Sequence, residues 1–172
     1  MRSLPLRSMS VMALATILAT NCVAQSWEQA QTPEGKVRDT LTQLQAEKTG
    51  LLEDSDTLGK LAQTLPQQNT FEIDNAMQIN HAILLAVAET DAAIWFTALY
   101  IGIGCEKDKE KARVALDNRL KFYSHTLDLN SDTVSHQLAF TRLPAVSQLA
   151  IKAEDRMRNA KREMQAILDL TQ

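Results

Sequence analysis

The sequence predicts an all-α protein, an antiparallel up-down-up-down bundle of about four long helices. Gly and Pro together total only nine of 172 residues, too few for a turn-rich β fold. Apolar residues recur at helical spacing, and prolines, glycines and short polar loops divide the chain into four segments. The length suits one domain, and 45% hydrophobic with 23% charged residues is enough to bury a core.

Residues 1–24 have the pattern of a cleaved signal peptide. Two arginines precede the apolar run MSVMALATILA, and Cys22 and Ala24 then stand at positions −3 and −1 of a cleavage site. The run is too short to span a bilayer. We therefore expect cleavage near Ala24, a periplasmic or secreted protein, and a flexible leader over residues 25–33.

The two cysteines raise separate questions. Cys22 ends the apolar run, so a lipid anchor is the alternative to cleavage, although Asn21 stands where lipoproteins have a small residue. Cleavage would leave Cys105 as the single cysteine, which excludes an internal disulfide. We expect Cys105 to be buried at the end of an apolar helix; pairing with another chain is the other interpretation.

The charge balance excludes some partners. Without Arg2 and Arg7, 16 Lys and Arg remain against 21 Asp and Glu, a net charge of −5. That excess of acids argues against nucleic acids and anionic membrane surfaces as partners.

The first helical segment is predicted from about Glu34 to Leu65, between two prolines. Its apolar residues recur at every seventh position: Val37, Leu44, Leu51, Leu58 and Leu65. A zipper also needs an apolar residue four positions after each of these. Only half of those positions are apolar, so the pattern indicates an amphipathic bundle helix rather than a zipper. Ser55 would serve as an N-cap if the segment is broken there.

The second segment is predicted from about Phe71 to Ile103, with Thr70 as its N-cap, and the third from Glu106 to about Leu129. The inner face of the third is marked by residues at helical spacing: Leu116, Leu120, Tyr123 and Leu127.

The loop DLNSD then separates the fourth segment, predicted from Asp132 to about Leu170 with Ser131 as N-cap. Pro144 falls inside this segment and should kink it or split it in two. The four segments form a single domain over residues 34–172.

The most apolar stretch, residues 81–105, contains Glu89 and Asp91. On a helix these acids point about 160° apart, so they cannot share one partner, which argues against a membrane span. We expect a central bundle helix covered on nearly all sides, with Asp91 inside a broad apolar arc. Glu89 lies beside a narrow arc of small residues, which would face either a close helix or a strip of solvent.

A carboxylate in an apolar arc must be paired, hydrogen-bonded or protonated. Asp91 therefore has three interpretations: a ligand-binding or proton-handling acid, a buried salt bridge to the third or fourth helix, or a helix cap after a break at Glu89. Asp91 and Glu89 are the only candidate binding residues that the sequence offers.

Common motifs of catalysis and metal binding are absent from the sequence. The chain has no GxSxG, P-loop, GxGxxG or CxxCH pattern. The three histidines, His81, His125 and His136, are far apart, and none follows a Glu by three residues as in di-iron bundles. We expect no catalytic residue, no metal site and no cofactor.

One short segment resembles a known family. Leu41-Thr42-Gln43-Leu44-Gln45 is similar to the LTxxQ pattern of periplasmic helical stress proteins of the Spy type. The resemblance implies a chaperone-like surface. It covers five residues and has no complete second copy, so the chain is not assigned to that family.

These observations predict an exported, non-catalytic helical protein that acts by binding another protein, such as a chaperone, adaptor or immunity-type inhibitor. The alternative is a membrane-associated component, anchored by the apolar residues 92–104 or by a lipidated Cys22.

Overall fold

A computed structural model describes residues 32–172, which form four α-helices and no strand, with 89% of residues helical. The helices are α1 (Pro33–Thr64), α2 (Thr70–Gly102), α3 (Glu106–Leu138) and α4 (Pro144–Thr171). The all-α prediction is confirmed for this range. The signal peptide, the lipidation of Cys22 and the leader as far as residue 31 lie outside the described residues.

Each helix packs against its neighbours in the chain, and α1 also packs against α4. Side-chain contacts give the direction of packing. Ser55 of α1 donates a hydrogen bond to Asn80 of α2 over 2.6 Å, and Lys48, further back on α1, reaches Asp91, further along α2. From the first contact to the second, the residue number decreases along α1 and increases along α2, so the two helices run antiparallel.

The core-facing stripe of α1 agrees with the seven-residue repeat. Val37, Leu44, Leu51 and Leu58 are buried, and all four residues that were predicted for the inner face of α3 are buried as well. The helix α1 continues through Ser55 without a break. Ser55 is buried and hydrogen-bonded to α2, so it serves packing rather than capping.

The predicted boundary between the third and fourth helices was wrong. The helix α3 continues through DLNSD to Leu138, because Asn130 and Val134 are buried against the rest of the bundle. Pro144 is the first residue of α4, so it splits the predicted fourth segment rather than kinking it, which is one of the two outcomes expected from the sequence. Leu143 before it has the extended conformation that proline imposes, and a proline is readily accommodated in a first helical turn.

A buried acid joins α1 to α4. The side chain of Asp54 is 2% exposed, and it accepts hydrogen bonds from Lys152 Nζ at 2.6 Å and from Arg156 Nε at 2.9 Å. The guanidinium of Arg156 also lies 3.5 Å from Glu47, which accepts a hydrogen bond from Asn159. The side chains of Lys152 and Arg156 both extend to the protein surface. The negative charge of the buried Asp54 carboxylate is therefore neutralised at the edge of the core.

Gly50 makes room for this network. A Cβ atom at that position would lie 1.9 Å from the guanidinium of Arg156. The guanidinium therefore crosses directly over the backbone of α1, and a larger residue at position 50 would push it away from Asp54. Gly59, on the same helix, has no comparable constraint, because its Cβ would lie 3.5 Å from Asn80.

Candidate functional site

The side of α2 that faces the bundle is built from small residues. Ala86, Thr90, Ala93 and Thr97 are fully buried. The hydroxyls of Thr90 and Thr97 donate to the carbonyls of Ala86 and Ala93, at 2.7 and 2.8 Å, so no hydroxyl is left unsatisfied in the core. The narrow arc of small residues is thus the side on which neighbouring helices pack closely, not a strip of solvent.

Several large apolar residues of α2 face outward, although Ile79, Ile83 and Ile94 are buried with the small residues. Met77, Leu84, Leu85, Trp95 and Leu99 are all exposed, and Trp95 is the most exposed at 57%. The expectation of a central helix covered on nearly all sides was wrong. The apolar arc was broad enough to suggest burial on nearly all sides. Small residues allow closer contact between helices, and they therefore occupy much of the inward side of α2.

The helix α3 extends this outward surface with aromatic and aliphatic side chains. Phe122 and Leu129 of α3 are exposed. The rings of Trp95 and Phe96 lie 5.0 Å apart, those of Phe96 and Tyr123 6.2 Å, and those of Tyr123 and Phe122 5.7 Å. We call the seven exposed residues the apolar surface: Met77, Leu84, Leu85, Trp95, Leu99, Phe122 and Leu129.

A groove of about 460 Å³ between α2 and α3 continues the apolar surface toward the start of α2. Met77 and Leu85 belong to both. The groove is lined by apolar and polar side chains together: Asp74, Met77, Gln78, His81, Ala82, Leu85, Asn130 and Thr133. Asp74 is the one carboxylate of this lining, which contains no Lys or Arg, so the groove favours an occupant with an apolar body and a positive charge.

Asp91 is not a core acid, contrary to the sequence interpretation. Its side chain is 62% exposed and pairs with Lys48 Nζ at 2.6 Å. The partner comes from α1, not from the third or fourth helix. Because the small residues of α2 face inward, Asp91 lies at the edge of the outward-facing side of the helix. Asp54, which precedes the possible helix break at Ser55 in the sequence, is the buried acid of the bundle.

Glu89 is half-buried on the side of α2 that faces α3. Burial raises the pKa of its carboxyl above the usual value of 4.5, and a hydrogen bond with the Thr126 side chain opposes that shift. The two candidate acids are therefore not brought together. Glu89 lies toward α3, whereas Asp91 lies toward α1.

Other chemistry-bearing residues form no centre within residues 32–172. No group of three or more His, Cys, Asp or Glu in that range could hold a metal ion. Cys105 is exposed, which overturns its predicted burial. The helix α2 ends at Gly102, so the three residues before α3 leave the packed surface and carry the thiol into solvent.

Comparison with protein families, with characterised proteins and with solved structures finds no match for this chain. On length and composition alone, α2 is the one helix of the described range that could cross a membrane. Well under half of its most apolar stretch is buried in the bundle.

The contrast between the two acids predicts a difference in stability. Removing both basic partners of Asp54, with Lys152→Ala and Arg156→Ala together, leaves its buried carboxylate unpaired and should cost about 3–5 kcal/mol, as broken buried pairs do. Asp91→Ala removes an exposed pair and should cost no more than about 1 kcal/mol. Urea denaturation at pH 7 measures both, and equal losses would contradict the placement of these acids.

The shifted pKa of Glu89 predicts a pH-dependent gain for Glu89→Gln. A carboxyl whose pKa is raised on folding binds more protons folded than unfolded, so stability falls as pH rises from the unfolded value of 4.5 to the raised folded value. Glutamine has no charge to desolvate. The variant should unfold at higher urea than the parent at pH 7, and this advantage should vanish below pH 4.5. A gain that is independent of pH would exclude titration of Glu89 as its cause.

Proposed function

We propose that this chain is an exported, non-catalytic protein that binds another protein through the apolar surface on α2 and α3. One observation carries the proposal: α2 buries alanine, threonine and isoleucine, whereas its leucines, its methionine and its tryptophan are exposed. Single exposed apolar residues are ordinary, but a contiguous patch on one face marks an interaction site. Export rests on the signal-peptide pattern of residues 1–24.

The composition of the surface suits a protein partner. Burying a Leu, Met or Phe side chain contributes about 1.5–3 kcal/mol, and tryptophan is enriched among the residues that dominate binding energies. Trp95 stands near the middle of the surface, supported edge-on by Phe96. It is therefore the residue we expect to contribute most to affinity.

The charges on α2 restrict the class of partner. The helix contains Glu72, Asp74, Glu89 and Asp91 but no Lys or Arg. An amphipathic helix with an apolar stripe would lie along the surface, and a basic residue at its end would meet Asp74 in the groove. The surface thus favours an apolar helix with basic flanks over an acidic one.

Membrane association is the second candidate, because α2 is apolar and long enough to span a bilayer. In that case the apolar surface would lie against lipid, with residues 92–104 inserted or Cys22 lipidated. The four acids of α2 weigh against this. Helices that lie on anionic membranes carry Lys and Arg on their polar face, and α2 has neither.

Site-specific photo-crosslinking in the native host tests the proposal. A photoreactive amino acid replaces Leu84 or Trp95 in the full chain, and matched controls carry it at Leu52 of α1 or Ile151 of α4. All four positions are similarly exposed, at 44, 57, 51 and 49%. We expect a polypeptide adduct of defined mass at 84 and 95, in the soluble periplasmic fraction, and none at the control positions.

Other outcomes would contradict it. Adducts with phospholipid, together with retention of the chain in the membrane fraction, would favour the membrane candidate. Equal labelling at all four positions would show that the apolar surface is no more a binding site than the rest of the bundle.

A further inference from the structure

The groove between α2 and α3 contains a buried amide that the bundle itself does not use. Asn130 lines the groove and is only 9% exposed. Its side chain has no hydrogen-bond partner within residues 32–172, although buried amides are nearly always paired. The amide is also not among the polar atoms that the bundle seals away from solvent. It therefore opens into the groove, where a ligand can reach it.

The groove is acidic at one end and apolar toward the other. Its lining residues on α2 extend over three helical turns from Asp74 to Leu85, a length of about 16 Å. Asp74 is exposed and has no ion-pair partner within residues 32–172, unlike Asp91 further along the helix. Ala82 and Leu85 form an apolar wall at the opposite end. An occupant with a charged head and an apolar body matches this direction.

The side of the groove formed by α3 presents oxygen atoms that accept hydrogen bonds. The hydroxyl of Thr133 donates to the carbonyl of Leu129 at 2.9 Å, so it can only accept from a ligand. The Asn130 amide adds a carbonyl oxygen, and Asp74 on α2 adds a carboxylate. These acceptors have no Lys or Arg beside them in the lining. The groove therefore selects a cation that is rich in hydrogen-bond donors.

We propose that this groove binds a small organic cation, an amine with a flat apolar body and a second hydrogen-bond donor. The ammonium pairs with Asp74, the body lies against Ala82 and Leu85, and the second donor reaches the carbonyl oxygen of Asn130. This site is an addition to the protein-binding surface and does not depend on the proposed function.

The dimensions of the groove suit a small molecule better than part of a partner helix. Its volume of about 460 Å³ lies within the range of about 300–1,000 Å³ that is typical of small-molecule sites. Such sites combine apolar walls with a few polar groups that fix the orientation of the ligand. A partner helix is about 10 Å wide, so it would rest on the rims formed by α2 and α3. A flat molecule can instead enter as a whole and reach Asn130.

Titration of the isotope-labelled full chain with tryptamine, followed by nuclear magnetic resonance at pH 7, tests the site. Tryptamine has an ammonium group, a flat apolar indole and an indole N–H donor. Two matched probes share the indole: tryptophol has a hydroxyl in place of the ammonium, and indole propionate has a carboxylate. Tryptamine should shift the side-chain amide resonances of Asn130 and the backbone resonance of Leu85. Tryptophol should bind about fivefold more weakly, and indole propionate should not bind.

Asp74→Asn tests the charged end of the groove, because it removes the charge and keeps the shape. The affinity for tryptamine should fall about fivefold, to that of tryptophol, whereas the affinity for tryptophol should not change. Asp39→Asn is the matched control, since Asp39 is an exposed acid on α1 and the net charge changes equally. It should leave both affinities unchanged.

Asn130→Leu tests the amide and separates a role in binding from a role in folding. Leucine branches at the same carbon but has no polar atom, so the indole N–H loses its acceptor. Tryptamine should bind at least about fivefold more weakly. The urea midpoint should stay the same or rise, because an unpaired polar group leaves the core. A lower midpoint would show that the amide serves the bundle, and would count against the proposal.

Three further results would overturn the proposal. They are equal affinities for tryptamine and tryptophol, no shift at Asn130 on addition of tryptamine, and an equal loss of affinity in Asp39→Asn and Asp74→Asn. None of them bears on the crosslinking at Leu84 and Trp95, which do not line the groove. Failure of this site is therefore distinguishable from failure of the proposed function.

Discussion

The close packing of small residues on the inner side of α2 is the constraint on which the rest of the structure depends. Ala86 and Ala93 present only a methyl group, and Thr90 and Thr97 fold their hydroxyls back onto the helix backbone. Neighbouring helices can therefore pack closely against α2. Once this side is inward, the rotation of α2 is fixed, and Leu84, Trp95 and Leu99 must face outward. The apolar surface, the exposure of Asp91 and the groove beside His81 all follow from that rotation.

The buried acid between α1 and α4 fixes the other side of the bundle. Asp54 holds two basic side chains, and Gly50 allows Arg156 to cross over α1. A buried ion pair of this kind adds little net stability, but it penalises a shifted alignment of the two helices heavily, since the carboxylate would then be left alone in the core. The polar network therefore selects the register of α1 and α4, while apolar packing supplies most of the stability. The outward surface plays no part in either role, which leaves it free for a partner.

Much of the fold could be predicted from the sequence, because its strongest signals are local. The seven-residue repeat of α1 and the inner stripe of α3 are clear periodic patterns, and both are buried as expected. The boundary at DLNSD failed because tertiary burial of Asn130 and Val134 outweighed good capping residues, whereas the split at Pro144 was one of the two outcomes expected there. Cys105 failed because its exposure depends on where α2 ends.

The candidate site was predicted less well, for a physical reason. Hydropathy identifies α2 as apolar but does not say which of two apolar arcs is inward. Both arcs repeat every seven residues, and both contain large as well as small side chains, with Ile79 and Ile83 on the inward side. The large residues were assigned to the core, which placed Asp91 there too. The actual core acid, Asp54, lies among residues with a strong tendency to cap helices, and its partners are about 100 positions away in the chain. No local pattern connects them.

The rotation of α2 is tested most directly by two cysteines placed two residues apart. Ala86→Cys and Ala88→Cys are made in a Cys105→Ser background, and the rate of reaction with a thiol reagent is measured over a range of protein concentrations. Position 86 is fully buried and position 88 is exposed. The thiol at 86 should react slowly at every concentration. The thiol at 88 should react fast in dilute protein. Fast reaction at 86, or slow reaction at 88 in dilute protein, would show that the large apolar side of α2 faces the core after all.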